Sequence, residues 1–304
     1  MKKNHTLEIM VIFYQNKLLK YYRAIRAQNN PVKFVIARFL MRTKISKFFI
    51  IKQKHYRLRF YPTKISRELW IDPKFWEKNW SLRNNFFWNY LKKDDVVIDT
   101  GSHIGQVTIE SAIKVENEGK IYSIEPDQTL FRYLQGNAKL NKLNNIIFYN
   151  FALGEKNSTM KFISDPIDPA CRISNEPKSG IDISVKKLDD LNIEEVNIDL
   201  LKLYGVGFEK YMLLGSIKTL KKTKCVHFRT YGKDISESYN YNYSDVFKIL
   251  IENNFRIFQI QKNCKISPIK ELDELKFDKK NISDFVAIKD LEDFISRTGF
   301  KIEE

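Results

Sequence analysis

The chain has 304 residues, of which 43% are hydrophobic and 13% aromatic, enough to bury one large core or two modest ones. This composition excludes a fibre and a disordered tail. The net charge of +15 is unevenly distributed, because residues 1–60 hold fifteen Lys or Arg and one acid, Glu8. The other residues are close to neutral, so the basic character belongs to an appendage.

The apolar runs of the basic segment, 34–37 and 48–51, are bounded by Lys or Arg well before the roughly 20 residues that a membrane span needs. The amino end shows no small-residue cleavage site, so no secretory signal is predicted. Three cysteines stand far apart without a C-x-x-C pair, which disfavours a disulfide framework and a metal site. These features together predict a cytoplasmic protein.

Residues 1–56 are predicted to form a basic, mainly helical extension. Asn30 followed by Pro31 indicates a helix start, with the asparagine as cap and the proline at the first helical position. Charges spread over more than half of the helix circumference. Such a helix fits the anionic inner face of a membrane, a nucleic-acid backbone, or a solvated collar on the main domain.

Residues 57–93 are predicted as a strand followed by an aromatic-rich helical lead-in. From residue 94 to 290, apolar strands alternate with helices, which is typical of a parallel sheet with crossover connections. The segments 255–261 and 285–289 favour an antiparallel edge hairpin on that sheet. Residues 291–304 are predicted to form a carboxyl-terminal tail.

The strongest chemical signal is the sequence DTGSHIG at 99–105, between the first strand and the first helix of this pattern. Ligands of open parallel sheets bind at the carboxyl ends of strands, and Gly101 and Gly105 let the backbone approach a ligand closely. The spacing differs from the G-x-G-x-x-G turn that binds a dinucleotide pyrophosphate. Asp99 would repel a phosphate, whereas it suits a cationic amino group.

Two further strand ends carry matching signals. Glu125 ends the second strand, where a carboxylate can accept both hydroxyls of a ribose, and Asn150 with Phe151 ends the third, where they suit a purine. Each signal alone is equally typical of a helix cap or a salt bridge. Together and in order, they describe a pocket for S-adenosylmethionine.

The chain resembles the FkbM-type methyltransferases over roughly residues 57–290. The resemblance rests on VVIDTGSHIGQVTI, IYSIEPDQTLFRYLQGNAKLN, VKKLDDL and IDLLKLYGVGFE in the family's order. It implies a class I, Rossmann-like α/β fold with a mostly parallel seven-stranded sheet and an antiparallel carboxyl-terminal strand. It also implies methyl transfer to a hydroxyl of a sugar, glycan or small metabolite. The positions that match the cofactor site are Asp99, Gly101, Gly105, Glu125 and Asn150, with His103 where the family often has Asn.

One segment departs from the family. The family usually has the pattern K-I-D-V-E-G-x-E there, whereas this chain has KLYGVGFE at 202–209. Tyr204 and Val206 thus replace two acids. A hydroxyl acceptor must lose a proton, and His227 at the next strand end is the best remaining base. Tyr204 is assigned as a hydrogen-bond donor and Glu209 as an acid or base. The alternatives are a buried or capping role for His227 and a solvated or salt-bridged side chain for Glu209. Arg229 and Tyr231 are candidates to hold an acidic or sugar acceptor, with a surface position as the alternative.

Three other functions compete with an active O-methyltransferase. A cofactor-binding module without turnover would explain the loss of the two acids. A nucleic-acid methyltransferase would explain the basic extension, yet the chain lacks the Pro-Pro-aromatic grip of amino-methylating enzymes. A nicotinamide dehydrogenase shares the sheet architecture and is disfavoured by the missing glycine pattern.

Overall fold

The computed structural model describes residues 19, 22–23, 25–26, 30–73, 81–165, 171–174, 176, 179–231, 233–269 and 282–303. Its helices are Pro31–Arg42 (α1), Lys64–Ile71 (α2), Ser81–Tyr90 (α3), Gln106–Val115 (α4), Gln128–Leu140 (α5), Glu209–Leu214 (α6), Ile217–Lys221 (α7), Lys233–Glu237 (α8), Tyr243–Glu252 (α9) and Leu291–Thr298 (α10). Short 3₁₀ turns span Ile45–Phe48 and Leu188–Asp190. Within the described ranges, each helix is too short or too polar to cross a bilayer.

The strands fall into three sheets. They are Ile50–Lys52 (β1), Arg57–Arg59 (β2), Val96–Thr100 (β3), Lys120–Ile124 (β4), Ile146–Tyr149 (β5), Ala152–Leu153 (β6), Ser158–Ile163 (β7), Arg172–Ile173 (β8), Ile181–Lys186 (β9), Ile198–Leu203 (β10), Thr223–Thr230 (β11), Arg256–Gln261 (β12), Lys265–Pro268 (β13), Ser283–Ile288 (β14) and Lys301–Ile302 (β15).

The largest sheet has the order β15-β13-β12-β14-β11-β10-β3-β4-β5. Five neighbouring strands, from β11 to β5, run parallel, and β14 and β12 follow in antiparallel pairings. The strand order reverses between β3 and β10, which creates the crevice where open α/β sheets bind ligands. The α/β class is therefore as predicted.

The predicted count of seven strands is wrong for this sheet, which has nine in the described part of the chain. β13 turns back on β12, and β15 pairs with β13 in parallel. The segments predicted as an edge hairpin, β12 and β14, do pair antiparallel, yet they lie inside the sheet. Residues 291–304, predicted as a tail, supply α10 and the edge strand β15.

The helix start predicted at Asn30 is confirmed. The Asn30 side chain accepts the Lys33 amide hydrogen at 3.1 Å, and Pro31 occupies the first turn. Phe34, Ala37 and Leu40 are buried against the rest of the molecule. The helix thus joins the core through one face.

The segment predicted to be mainly helical also contains β1, which pairs with β2 in an antiparallel hairpin. This hairpin joins the two sides of the boundary that the sequence predicts at residue 56. Most of the predicted extension before residue 30 lies outside the described residues.

Apolar cores lie on both faces of the large sheet. Successive strand residues point to opposite faces, so Val97 and Leu200 enter one core while Ile98 and Leu201 enter the other. Burial on both faces explains why these strands are almost continuously apolar in sequence. The four-stranded sheet, in the order β6-β9-β7-β8, packs into the second core beside the crevice.

Candidate functional site

A cavity of about 500 Å³ lies at the carboxyl ends of β3, β4, β10 and β11. The turn after β3 supplies residues 100–104, β4 leads into residues 124–126, and β10 leads into residues 204–206. The short sheet contributes apolar side chains from the opposite side. The cavity therefore occupies the crevice that the strand reversal creates.

Gly101 is required by its conformation and by its surroundings. Its φ is +63°, and a β-carbon there would lie 2.5 Å from the carbonyl oxygen of Tyr204. The turn after β3 thus packs directly on the loop after β10 and keeps the cavity wall thin. Gly105, with φ +89°, caps α4 and does not line the cavity.

Glu125 lines the cavity at the end of β4, as predicted from its strand-end position. Its Oε2 accepts the His103 amide hydrogen at 2.7 Å, and its Oε1 accepts the Asp127 amide hydrogen at 2.9 Å. Burial raises the pKa of Glu125 to about 7, although both amide donors oppose this shift. Each carboxylate oxygen keeps one lone pair for a further donor, so the group can accept two hydroxyls.

The His103 side chain lines the same wall. Both ring nitrogens are buried and have no hydrogen-bond partner among the described residues. Burial lowers the pKa of His103 to about 4, so the ring is neutral and offers one donor and one acceptor. A buried polar ring without a partner is a candidate to bond to a ligand or to an internal water.

Asp99 is buried below the cavity and does not line it. Its Oδ1 accepts from Lys202 Nζ at 2.6 Å, and its Oδ2 accepts from the Thr108 hydroxyl. Lys202 does line the cavity, and it also donates to the carbonyl oxygens of Thr100 and Gly101. The structure therefore places Asp99 behind Lys202, which separates its carboxylate from a ligand in the cavity.

The two residues predicted to suit a purine, Asn150 and Phe151, lie in different environments. Phe151 lines the cavity and belongs to its apolar wall. The Asn150 amide instead donates to the carbonyl oxygens of Glu125 and Pro126, at 2.8 and 3.1 Å. Asn150 thus positions the Glu125 backbone and stays outside the cavity lining.

Tyr204 is the one residue of the three predicted to be catalytic that lines the cavity. Its hydroxyl accepts from Arg229 Nη2 at 2.9 Å and lies 3.3 Å from His227 Nδ1. The Arg229 guanidinium and the Lys202 ammonium each lie 4.2 Å from its ring centroid. Two cations and two hydrogen-bonding groups therefore fix this phenol.

His227 does not reach the cavity. It is fully buried, and its ring packs on Phe86 and Phe87 of α3, with centroids 4.9 and 5.0 Å away. It contacts the cavity residue Tyr204, whose hydroxyl lies 3.3 Å from Nδ1. As a direct base for a bound acceptor, His227 is therefore excluded in this conformation.

Glu209 does not line the cavity either, and it is neither solvated nor part of an ion pair in the described contacts. Its carboxylate accepts the amide hydrogens of Gly205 and Gly207 at 2.8 and 3.0 Å. The loop between them holds Val206 at φ +51°, a strained value for a β-branched residue. Burial raises the pKa of Glu209 to about 7. Glu209 thus holds the loop that carries Tyr204.

Several cavity residues carried little or no signal in the sequence, among them Lys202 and the residues of α2. Lys202 interrupts the apolar strand β10, and a lone charge in a buried strand was the available signal. Arg229 and Tyr231, the candidates for holding an acidic or sugar acceptor, both line the cavity. Arg229 is buried and pairs with Asp284 at 3.0 Å, a partner more than fifty residues away that the sequence did not indicate. Lys64, Ile65 and Glu68 of α2 also line the cavity, and their local sequence carried no signal for this role.

The residues present fit the predicted cofactor. The Glu125 carboxylate suits a ribose, the His103 ring suits polar atoms, and Phe151 belongs to an apolar wall. In the described part of the chain, no three His, Cys, Asp or Glu side chains are grouped as metal ligands. The chemistry available here is that of an organic ligand held by hydrogen bonds and apolar contact.

Comparisons with known proteins agree with this site. The sequence model of the methyltransferase FkbM domain matches residues 99–302. A curated protein of Saccharolobus solfataricus, named "Probable cobalt-precorrin-6B C(15)-methyltransferase (decarboxylating)", is 32% identical over 79 residues, which cover 26% of this chain and 38% of that protein. The protein of the same name from Sulfurisphaera tokodaii is 27% identical over 121 residues, covering 37% of this chain and 62% of that one. The chain thus spans less than two thirds of either relative.

A crystal structure of an S-adenosylmethionine-dependent methyltransferase from Aquifex aeolicus is also similar. It shares 14% identity with a TM-score of 0.41, and the match covers 72% of this chain and 94% of that one.

Proposed function

The chain belongs to the FkbM methyltransferase family, and from this premise we propose that it transfers a methyl group from S-adenosylmethionine to a hydroxyl of a sugar, glycan or small metabolite. The proposal that the methyl acceptor is a hydroxyl rests on the Tyr204 phenol, which lies on the cavity wall between Arg229 and His227. The curated relatives act on a different substrate by name, and their short matches leave the acceptor of this chain open.

Glu125 and His103 hold the cofactor in this proposal. The Glu125 carboxylate accepts the ribose hydroxyls, and the neutral His103 ring bonds to polar atoms of the ligand. S-adenosylmethionine supplies a methyl group on a sulfonium sulfur, which is already an activated electrophile. The protein therefore needs to align the acceptor and to remove its proton.

Tyr204 provides a route for that proton. Arg229 donates to the phenol oxygen, which leaves the phenol hydrogen directed at His227 Nδ1 when the imidazole proton is on Nε2. As the acceptor hydroxyl loses its proton to the Tyr204 oxygen, Tyr204 passes its own proton to His227 Nδ1. In this scheme Tyr204 is the catalytic residue, and Arg229 and Glu209 position it.

The test uses radiolabelled S-adenosylmethionine and an extract of sugars, glycans and metabolites from cells that lack this protein. We expect the wild type to form a labelled ether. Tyr204→Phe should lower kcat by about a hundredfold or more, because it removes the proton acceptor. Its affinity for S-adenosylhomocysteine should stay unchanged. Tyr133→Phe is the matched control, since that phenol lies on α5 outside the cavity lining.

Label on nitrogen or carbon, or full activity of Tyr204→Phe, would contradict the proposal. Cofactor binding without transfer to any acceptor would favour the module that has lost turnover. Transfer to RNA would favour the nucleic-acid enzyme. We also propose a cytosolic reaction, because Cys171, Cys225 and Cys264 are odd in number and stand far apart in the sequence without a C-x-x-C pair.

A further inference from the structure

The outer face of α1 is apolar. Val32, Val35, Ile36 and Phe39 recur at helical spacing and are exposed, with Phe39 at 62%. Phe34, Ala37 and Leu40, on the opposite face, are buried. Surface helices usually direct their apolar stripe at the core and their polar side at solvent, so α1 carries a second, unexplained stripe.

The apolar surface continues beyond the helix. Ile45, Phe48, Phe49 and Ile50 are exposed in the following turn and strand, with Phe48 at 73%. Single exposed apolar residues are ordinary, whereas eight of them within residues 32–50 mark a candidate interaction site. We call these eight residues, from Val32 to Ile50, the apolar face.

The charged residues in the sequence of the apolar face are all basic. The cations on α1 and its continuation are Lys33, Arg38, Arg42, Lys44, Lys47 and Lys52. The sequence has no Asp or Glu between Glu8 and Glu68, so no acid of this segment offsets them. Lys44 and Lys47 are exposed and lie in sequence between Phe39 and Phe48. The Lys47 ammonium lies 5.4 Å from the centroid of the exposed Phe48 ring, so a cationic and an apolar group share the surface there.

We propose that the apolar face binds the surface of an anionic lipid bilayer. Its aliphatic and aromatic side chains would enter the boundary between headgroups and acyl chains, while the lysines meet lipid phosphates. Most of the apolar face is aliphatic and cannot stack on bases, which disfavours a nucleic acid. A second copy would bring the same cations together across a two-fold axis, which disfavours a dimer.

The apolar face is close to the cavity in the fold. α1 packs on α2, and α2 supplies Lys64, Ile65 and Glu68 to the cavity wall. The inference does not depend on the proposed reaction, because it rests on surface residues outside the cavity.

Flotation of the full chain with vesicles tests the proposal. One set contains equal parts of phosphatidylcholine and phosphatidylglycerol, and the other contains phosphatidylcholine alone. We expect binding to the anionic vesicles that weakens with salt. Phe39→Ser with Phe48→Ser should lower the partition constant about tenfold or more, because two large exposed side chains lose their apolar contact. Lys44→Glu with Lys47→Glu should also abolish most of the binding.

Matched controls replace exposed residues elsewhere. Val196→Ser with Ile251→Ser removes apolar side chains, and Lys221→Glu with Lys262→Glu reverses charges. Both should bind vesicles like the wild type. Affinity for S-adenosylhomocysteine checks that every variant is folded.

Three results would overturn the proposal. The first is no binding to anionic vesicles, or equal binding to neutral ones. The second is binding that the phenylalanine pair does not change, which would assign it to another segment. The third is that the protein does not bind vesicles and instead forms a dimer that dissociates in the phenylalanine variant, or binds RNA in a way that the lysine variant loses.

Discussion

The affinity for S-adenosylhomocysteine should depend on pH through Glu125. This carboxyl is buried at the end of β4, and desolvation raises its pKa to about 7. Ribose hydroxyls donate to the carboxylate form, so the ionised state binds and the protonated state binds poorly. Affinity should therefore rise as the pH increases through 7.

The magnitude follows from the ionised fraction. With a pKa of about 7, roughly a tenth of the carboxyl is ionised at pH 6 and roughly nine tenths at pH 8. The Kd should thus fall about tenfold between these two values, which corresponds to about 1.4 kcal/mol. Because ligand hydroxyls favour the ionised form, binding near pH 6.5 should also release protons.

Isothermal titration calorimetry at several pH values measures the Kd, and buffers with different ionisation enthalpies report the released protons. Glu125→Gln should bind more weakly and lose the pH dependence. Glu110→Gln is the matched control, because that carboxyl is also buried with a raised pKa, about 8, and lies outside the cavity lining. A flat Kd for the wild type, or an unchanged slope in Glu125→Gln, would refute the assignment of Glu125 to the ribose.

Three further predictions concern stability, measured by urea unfolding. Burial raises the pKa of the Glu110 carboxyl to about 8. The contribution of this carboxyl to the free energy of unfolding is therefore fully present below about pH 4.5 and is lost as the pH rises to 8. Glu110→Gln should raise the free energy of unfolding by about 3 kcal/mol at pH 7 and by less than about 1 kcal/mol at pH 5. Gly101→Ala should cost about 3 kcal/mol or more, and Gly299→Ala, at a similar φ with open space around it, about 1. Lys202→Met should cost about 3–5 kcal/mol by leaving Asp99 buried without its cation, and Asp99→Asn added to it should restore part of that loss.

Each of these predictions can fail in a distinct way. An equal effect of the Glu110 variant at both pH values would mean that this carboxyl is ionised in the folded protein. Equal costs for the two glycine variants would show that the loop after β10 moves aside. If Asp99→Asn added to the lysine variant lowers stability further, the buried ion pair is not the source of the loss.

The sequence by itself determined part of the candidate cofactor site. The carboxyl ends of neighbouring parallel strands always meet at one edge of a sheet, so strand ends read from the sequence were enough to bring Gly101 and Glu125 together. The turn after β3 and its left-handed glycine followed from local backbone geometry. The start of α1 at Asn30 was equally local, because a cap and a first-turn proline act within four residues.

The tertiary structure decided where the predicted side chains point. Asp99, Lys202 and His227 are register partners across β3, β10 and β11. Asp99 therefore meets Lys202 below the cavity, and His227 packs on α3. Glu209 bonds to the loop before it. The sequence pattern predicts where each strand ends, but it does not predict which side chain of a distant strand lies beside it. These contacts could therefore not be assigned from the sequence.

Other features also depended on distant segments. The two additional strands, β13 and β15, join the sheet through pairing that the apolar pattern did not mark. α2 reaches the cavity only because the chain before residue 94 folds back on the sheet domain. The sequence determined which chemical groups the strand ends carry. Packing determined which of them face a ligand, because burial and hydrogen bonding are settled between residues far apart in the chain.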